Sequence, residues 1–418
     1  NQQTVDFLKL RASFGLVGND KYSGARFLYL DGSWTGNHAV WQNGYGSYQF
    51  GMGGSMTMLP DAVENTVGNS EVTWEKVRKQ NYGIDLKMFG ARLSLTADYF
   101  FEHRYDILST RNTLPSIVAI ELPLINLGEV DNRGYEISLG WNSRTEKIDW
   151  WVQGNVSYSK NKIIFMDEVM PNYPWMAQTG RSTGLNYGYR FDRFLQADDF
   201  DADGALKTDG EGKPLLPVMS LGSPRPGDAL FKDLNGDGKI DGNDKTYFGY
   251  SQRPDYVLGL LGGFRYKNFE ISMQWTAGLH ASRMLSGEYR NAFGSTNGRA
   301  LLKFLADGRW TPENPDARFP RLTFLNKSHY LEDSDLWLMD GSYLRLKVAE
   351  IGYTFRDIPA FRKVGVKSLK VYFSGYNLLT LFSDLNDIDI DPEGATSGSN
   401  IDSYPNVRIF NFGVNITF

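Results

Sequence analysis

The segment Asp233-Leu234-Asn235-Gly236-Asp237-Gly238-Lys239-Ile240-Asp241-Gly242-Asn243-Asp244 concentrates more oxygen donors than any other stretch of the chain. Its spacing fits the calcium-loop template at positions one, three, five, six, nine and twelve. Asp233, Asn235 and Asp237 converge when such a loop wraps. Gly238 permits the sharp bend, Lys239 offers its carbonyl, and Asp241 reaches the ion directly or through water. Asp244 stands where the template has a bidentate Glu, and its shorter arm weakens the grip. All-oxygen donors on a flexible loop favour Ca2+ over Mg2+, in a structural role. The same residues also suit an Asx-rich turn whose side chains cap their own backbone. The expectation is a bound cation.

Other chemistry is thin. With no Cys, the chain has no disulfide, thiolate nucleophile or Cys-based metal site. His38, His103, His280 and His329 are widely separated and form no pair at ligand spacing. No nucleophile elbow, Walker-type loop or dinucleotide fingerprint occurs. Asp198-Asp199 and the Asp384–Asp391 cluster have the residue types of a glycoside hydrolase. They lie in Asn/Gly/Ser-rich loops, however, where solvated carboxylates are expected. No enzyme activity and no catalytic residue is assigned. Tyr187, Tyr189, Phe191 and Phe194 suit stacking on sugars, packing under a partner, or lining their own loop's core. The pattern leaves these three readings open, and substrate-contacting residues are unassigned. A net charge of -5 excludes a polybasic nucleic-acid binder.

The elements that must carry these loops have a period of two. Leu8, Leu10, Ala12, Phe14 and Leu16 alternate with Lys9, Arg11, Ser13 and Gly15. The pattern recurs at Tyr82–Met88, Leu93–Phe101, Tyr135–Trp141, Trp150–Tyr158, Tyr256–Tyr266, Phe269–Ala277, Tyr343–Phe355, Leu369–Asn377 and Phe410–Phe418. About twelve such strands are expected, several long enough for a tilted membrane-spanning strand. Short links at Phe89-Gly90, Asn142–Lys147 and Lys267-Asn268 alternate with long ones near 166–253, 279–340 and 379–405. Tight turns at one end and long loops at the other are the mark of an outer-membrane barrel. The 44 glycines and 14% aromatics fit that architecture, and Trp141 and Trp150 bracket one short turn where an inner aromatic girdle would sit. The longest strongly apolar stretch, around Val257–Leu261, is far too short for a spanning helix. A soluble propeller or sandwich is the rival, but no blade-length repeat is visible.

Several motifs in this order resemble the SusC/RagA-like TonB-dependent transporters of the Bacteroidota outer membrane. They are Leu8–Ser13, the Trp74–Leu108 hairpin with its closing Tyr-Asp-Ile-Leu, and Asn126–Glu136. Pro226-Gly227-Asp228 ahead of Asp233–Asp244, Arg309–Asn314, Gly341–Lys347, Asn377-Leu378 and Asp391-Pro392-Glu393 complete the set. The resemblance runs through nearly the whole chain, and residues 1–418 resemble the C-terminal half of such a transporter. It implies an all-β fold, a transmembrane antiparallel barrel of 22 strands plugged by an N-terminal domain. It further implies TonB-dependent import of an oligosaccharide or peptide across the outer membrane of a Gram-negative bacterium. A SusD-like surface lipoprotein would act as lid. The plug, the TonB-contacting segment and the first barrel half are not in these residues.

A siderophore- or vitamin-type receptor working without the lid is the first rival, a passive porin the second and an outer-membrane enzyme the third. The chain begins at Asn1 without a basic and apolar leader, so any targeting signal is expected upstream or removed. A half-barrel alone would present unpaired N–H and C=O groups to lipid. The strands near Asn1–Val17 and Arg408–Phe418 are therefore expected to pair with strands outside this numbering.

Overall fold

The computed structural model describes residues 4–21, 27–30, 35–36, 47–50, 57–60, 62–63, 68–113, 123–145, 148–220, 222–293, 301–324, 331–356, 358–359, 363, 365–394 and 406–418. Its frame is one ten-stranded antiparallel sheet in which each strand pairs with its neighbours in sequence. The strands are β1 (Val5–Asn19), β2 (Glu75–Met88), β3 (Leu93–Ser109), β4 (Ile125–Arg144) and β5 (Ile148–Phe165). They continue as β6 (Tyr256–Tyr266), β7 (Phe269–Leu279), β8 (Tyr343–Arg356), β9 (Ser368–Leu381) and β10 (Ile409–Thr417). Each coincides with one alternating run of the sequence. Against about twelve expected, ten strands join this sheet among the described residues; Ser47–Phe50 and Thr57–Pro60 make a separate two-stranded ladder.

The register shows which face is which. Tyr82, Tyr99, Tyr135, Tyr158 and Tyr256 are successive partners on β2 to β6. On the same face, Leu86, Leu95, Leu139, Gly154, Leu260, Trp275 and Leu346 form a second row from β2 to β8. A further aromatic zone lies toward the short turns, where Phe89 contacts Trp141, Trp141 stacks on Trp150, and Phe264 meets Phe269. From Tyr256 to Tyr266 a strand runs roughly 33 Å at ~3.3 Å per residue. At a tilt of ~40° this spans about 25 Å, the height of an outward apolar band between two aromatic girdles.

Side-chain exposure agrees with that assignment. Leu8, Leu10, Phe14, Ile137, Leu139, Val152, Phe412, Val414 and Ile416 are all exposed. Val156, expected with them, is half-buried between its partners Ile137 and Leu258. The opposite face is polar. Arg11 on β1 bridges Asp85 (2.9 Å) and Asp98 (2.8 Å), Lys79 meets Glu102 (2.8 Å), and Lys370 meets Glu350 (2.8 Å).

Neither face of the sheet supplies the main hydrophobic core. That core is built by the long connections after β5, β7 and β9: Phe194, Leu195, Phe231, Ile240, Leu305, Leu336, Trp337 and Leu385 pack together, nearly all fully buried. These connections form a folded cap at the end of the sheet opposite the short turns.

If the Leu139–Leu260 row faces hydrocarbon, Leu260→Arg should destabilise the folded barrel of the full-length protein by about 2–4 kcal/mol. Gln153→Arg, on the polar face, should be tolerated. Heat-modifiable gel migration of membrane-extracted protein measures both. Equal folded fractions for the two variants would overturn the face assignment.

Candidate functional site: the lumen wall and its cap

The 233–244 loop closes chiefly on its own backbone. Asp233 accepts from the N–H groups of Gly236 (2.7 Å) and Gly238 (2.8 Å). Asn235 accepts from Asp237 N–H, and Asp237 from Lys239 N–H and the Asn235 amide. Asp241 caps the short turn at Gly242–Asp244 by accepting from Asn243 N–H. Asp244, fully buried, accepts from Leu234 N–H (2.8 Å) and Asp241 N–H (2.9 Å), so it ties the two ends of the loop together. The Lys239 carbonyl sits in a two-residue strand whose Ile240 enters the cap core. In this conformation no group of three or more His, Asp or Glu residues among the described residues is gathered so as to hold a metal ion.

The neighbouring motif anchors the cap. Asp228, fully buried, pairs with Arg321 at 2.7 Å and accepts from Arg225 N–H. Gly227 has φ +84°, and a Cβ there would lie 2.4 Å from the Trp310 ring. Pro226-Gly227-Asp228 and Arg309–Asn314 are therefore two halves of one contact. Asn126 plays a comparable part on the wall, donating to Thr73 and Asp106 carbonyls and accepting from Thr73 N–H. Gly134 lets the Tyr158 carbonyl and the Phe100 ring approach closer than any Cβ would allow.

A second anchor was not legible in advance as a pair. Arg345 on β8 is 3% exposed and contacts Asp391 (2.7 Å) and Glu393 (2.9 Å) in the connection after β9. Lys347 adds 2.7 Å to Glu393, and Tyr343 donates to the same carboxylate. Arg283 donates to the Gln252 and Pro392 carbonyls, binding the three long connections to one another. Burial depresses its ionisation, and its Nε lacks a partner among the described residues. Gly341–Lys347 and Asp391-Pro392-Glu393 had been read as separate motifs; the fold joins them at the Arg345 guanidinium.

Of the acidic residues expected to be solvated, Asp198, Asp384, Asp387 and Asp389 are exposed, whereas Asp199 and Asp391 are held in ion pairs. Asp199 receives both Arg193 nitrogens (2.7 and 2.9 Å) and Gln196 N–H, and the guanidinium holds its carboxyl below the usual range. Asp391 is likewise committed to Arg345. Of the loop aromatics, Tyr189 and Phe194 belong to the cap core, Phe191 packs against it, and Tyr187 lies against Tyr247 at 4.7 Å. Of the histidines, His103 and His280 are both on Asp residues, at 2.7 and 4.0 Å; His38 and His329 lie outside the described residues.

Between wall and cap lies a cavity of about 880 Å³. Glu75, Glu102, Arg104, Asn132 and Asn161 line it from the strands, and Gln252 from the cap. Arg104 faces Glu75 at 3.7 Å, and Ser159 donates to Asn132. Amides, hydroxyls and charges of both signs offer donors and acceptors to a polar solute. The set contains no Ser–His or Cys–His arrangement for covalent chemistry.

Burial pushes the Asp391 carboxyl up, but hydrogen bonds from Arg345 and Glu393 N–H outweigh it and hold the group below the usual range. Such a carboxyl contributes stability that is present above its unfolded value of ~3.9 and lost as pH falls through the lower folded value. Hydrogen exchange over 382–394 should therefore be protected at neutral pH and open only in strong acid. Arg345→Met, leaving two carboxylates without their buried cation, should open it at neutral pH by about 3–5 kcal/mol. Unchanged protection in the variant would show that the pair does not hold the loop.

A family profile described as TonB dependent receptor-like, beta-barrel, matches residues 24–378. The chain is 29% identical over its whole length to TonB-dependent receptor P3 of Formosa agariphila, covering 40% of that protein. It is 25% identical over 98% of its length to TonB-dependent receptor SusC of Bacteroides thetaiotaomicron, covering 37% of it. Its fold superposes on the RagAB peptide importer in the open-open state with a TM-score of 0.68 at 19% identity, covering all of this chain and 41% of that one. The chain thus spans about two fifths of the length of these relatives. A two-faced antiparallel wall, short turns at one end and a packed cap at the other, together with the profile match, place this chain in the TonB-dependent receptor-like β-barrel family.

Proposed function

We propose that the chain forms the C-terminal part of the wall, and the external cap, of an active outer-membrane importer for an oligosaccharide or peptide. The observation that carries the reading is the open cavity, lined by amides and charges, between lumen-facing strands and an anchored cap. Such a cavity offers hydrogen bonds without catalytic chemistry, which suits binding and passage. The similarity to SusC and to the RagAB peptide importer supports a SusD-like lipoprotein as lid and TonB as the energy source. The remaining strands and the plug would come from the rest of the full-length protein. In that barrel β1 and β10, each with one edge unpaired among the described residues, find their second neighbours.

The test is uptake of labelled glycan and peptide mixtures by cells carrying the full-length protein, with TonB or the lid lipoprotein deleted in turn. The expected result is loss of uptake in both deletions. Uptake that survives loss of TonB is a porin's behaviour, and uptake that survives loss of the lid belongs to the siderophore- or vitamin-type receptors.

The same reading places a structural Ca2+ at Asp233, Asn235, Asp237, Lys239, Asp241 and Asp244. The template spacing supports it, and carboxylate oxygens that accept one N–H keep a further lone pair. Binding requires Asp233, Asp237 and Asp241 to turn those lone pairs inward. At a hundredfold excess over Kd, Ca2+ should stabilise the full-length protein by about 2.7 kcal/mol. Thermal melting in calcium and in chelator measures it, and coincident curves would leave the Asx-turn role alone.

A further inference from the structure

The outward face above the tyrosine row is basic on β2 to β5. Two residues beyond Tyr135 and Tyr158 stand Arg133 and Lys160, direct partners in the register. Four residues beyond Tyr82 and Tyr99 stand Arg78 and His103, also direct partners. Lys162 follows on β5. Period-two alternation puts all of them on the face that carries the apolar band.

These positions share one level. The short turns descend across the sheet: the first closes at Met88↔Leu93, in the row that holds Trp141 and Val152 further on. The next turn lies beyond that row at Arg144↔Asp149, and the one after it at Tyr266↔Phe269. Strand tilt produces this stepping, so a line parallel to the membrane crosses the residue rows obliquely. Arg78 and His103, farther from the tyrosine row, and Arg133 and Lys160, nearer to it, follow the same oblique line. On the outer-membrane reading, this level beyond the apolar band corresponds to the headgroup region.

The protein leaves part of this charge uncompensated. Lys160 is held by Asp255 at 2.6 Å, and Asp131 is taken by His103 at 2.7 Å, although it stands opposite Lys162. Arg78, exposed, has its guanidinium over the Tyr105 ring at 5.0 Å. Arg133 and Lys162 are exposed, and their side chains have no ion-pair or hydrogen-bond partner among the described residues. As diagonal neighbours on paired strands they lie roughly 7–8 Å apart at the backbone, within common reach of one phosphate group.

We propose that Arg133 and Lys162, flanked by Arg78 and Lys160, dock the phosphorylated headgroup of an outer-leaflet lipid. The proposal rests on the outer-membrane reading above. Continuity with the lipid-facing band places the lipid's acyl chains directly below these cations. A guanidinium fork beside an ammonium matches phosphate oxygens in geometry and charge.

The test uses the purified full-length protein and native mass spectrometry with monophosphoryl lipid A and its dephosphorylated counterpart. The wild type should retain the phosphorylated lipid at least tenfold more tightly, and the preference should weaken with salt. The Arg133→Gln/Lys162→Gln variant should lose the preference yet bind the dephosphorylated lipid as before, while Lys9→Gln, on the polar face, changes nothing. An unaltered preference in the double variant, no preference in the wild type, or a salt-insensitive one would overturn the proposal. So would occupation of the patch by an acidic protein segment in place of lipid. If the double variant fails to assemble, the salt dependence of the wild type alone decides. A wild type with normal uptake but no lipid preference overturns only the docking site, whereas a wild type with the preference but no uptake overturns only the import reading.

Discussion

A single sheet with hydrocarbon on one face and water on the other has nowhere to put a core. Apolar side chains on the outer face are largely exposed, and the inner face carries ion pairs. What holds the sheet is its hydrogen-bond ladder, which matters more in lipid because no water can replace a broken bond. The packed core therefore moves to the long connections. Trp337, at 1% exposure, and Phe231 are more deeply buried than any outward residue of the wall.

The cap in turn is fastened to the wall by charge. Arg345 with Asp391 and Glu393 joins β8 to the last connection, and Arg283 joins it to two others through carbonyls. Buried ion pairs give modest net stability but fix geometry, because each alternative arrangement strands a charge. The same holds for Asp228 and Arg321 beneath Trp310. The short motifs by which the chain resembles its family are thus mostly fasteners. They keep the polar cavity at one place relative to the wall.

The wall was legible in the sequence because alternation is a local signal: each of the ten runs, from Leu8–Leu16 to Phe410–Phe418, became one strand. Between β1 and β2, where no alternating run was read, short ladders form off the main sheet. The cap was legible only as loop length. Nothing local distinguishes Tyr189, which is core, from Tyr187, which rests on Tyr247, since the difference lies in partners far along the chain. Within the acidic clusters, Asp199 and Asp391 depart from the solvated reading for the same reason, as their cations Arg193 and Arg345 are set by the fold. In the 233–244 loop the pattern was clear but double in meaning, because the side chains that suit a cation also suit their own backbone.

The chain's contacts divide sharply by sequence distance. Each wall strand pairs with the next one, so the wall is a series of hairpins that can be added one at a time at a growing edge. The cap joins residues such as Phe191 and Asp335, whose bond spans 144 positions. Loop-closure entropy makes such contacts late. The cap can settle only after β6 to β9 have brought its three segments to one rim. Its closure is then a record of completed assembly: a barrel with a misplaced strand would present an unfolded crown, open to proteolysis.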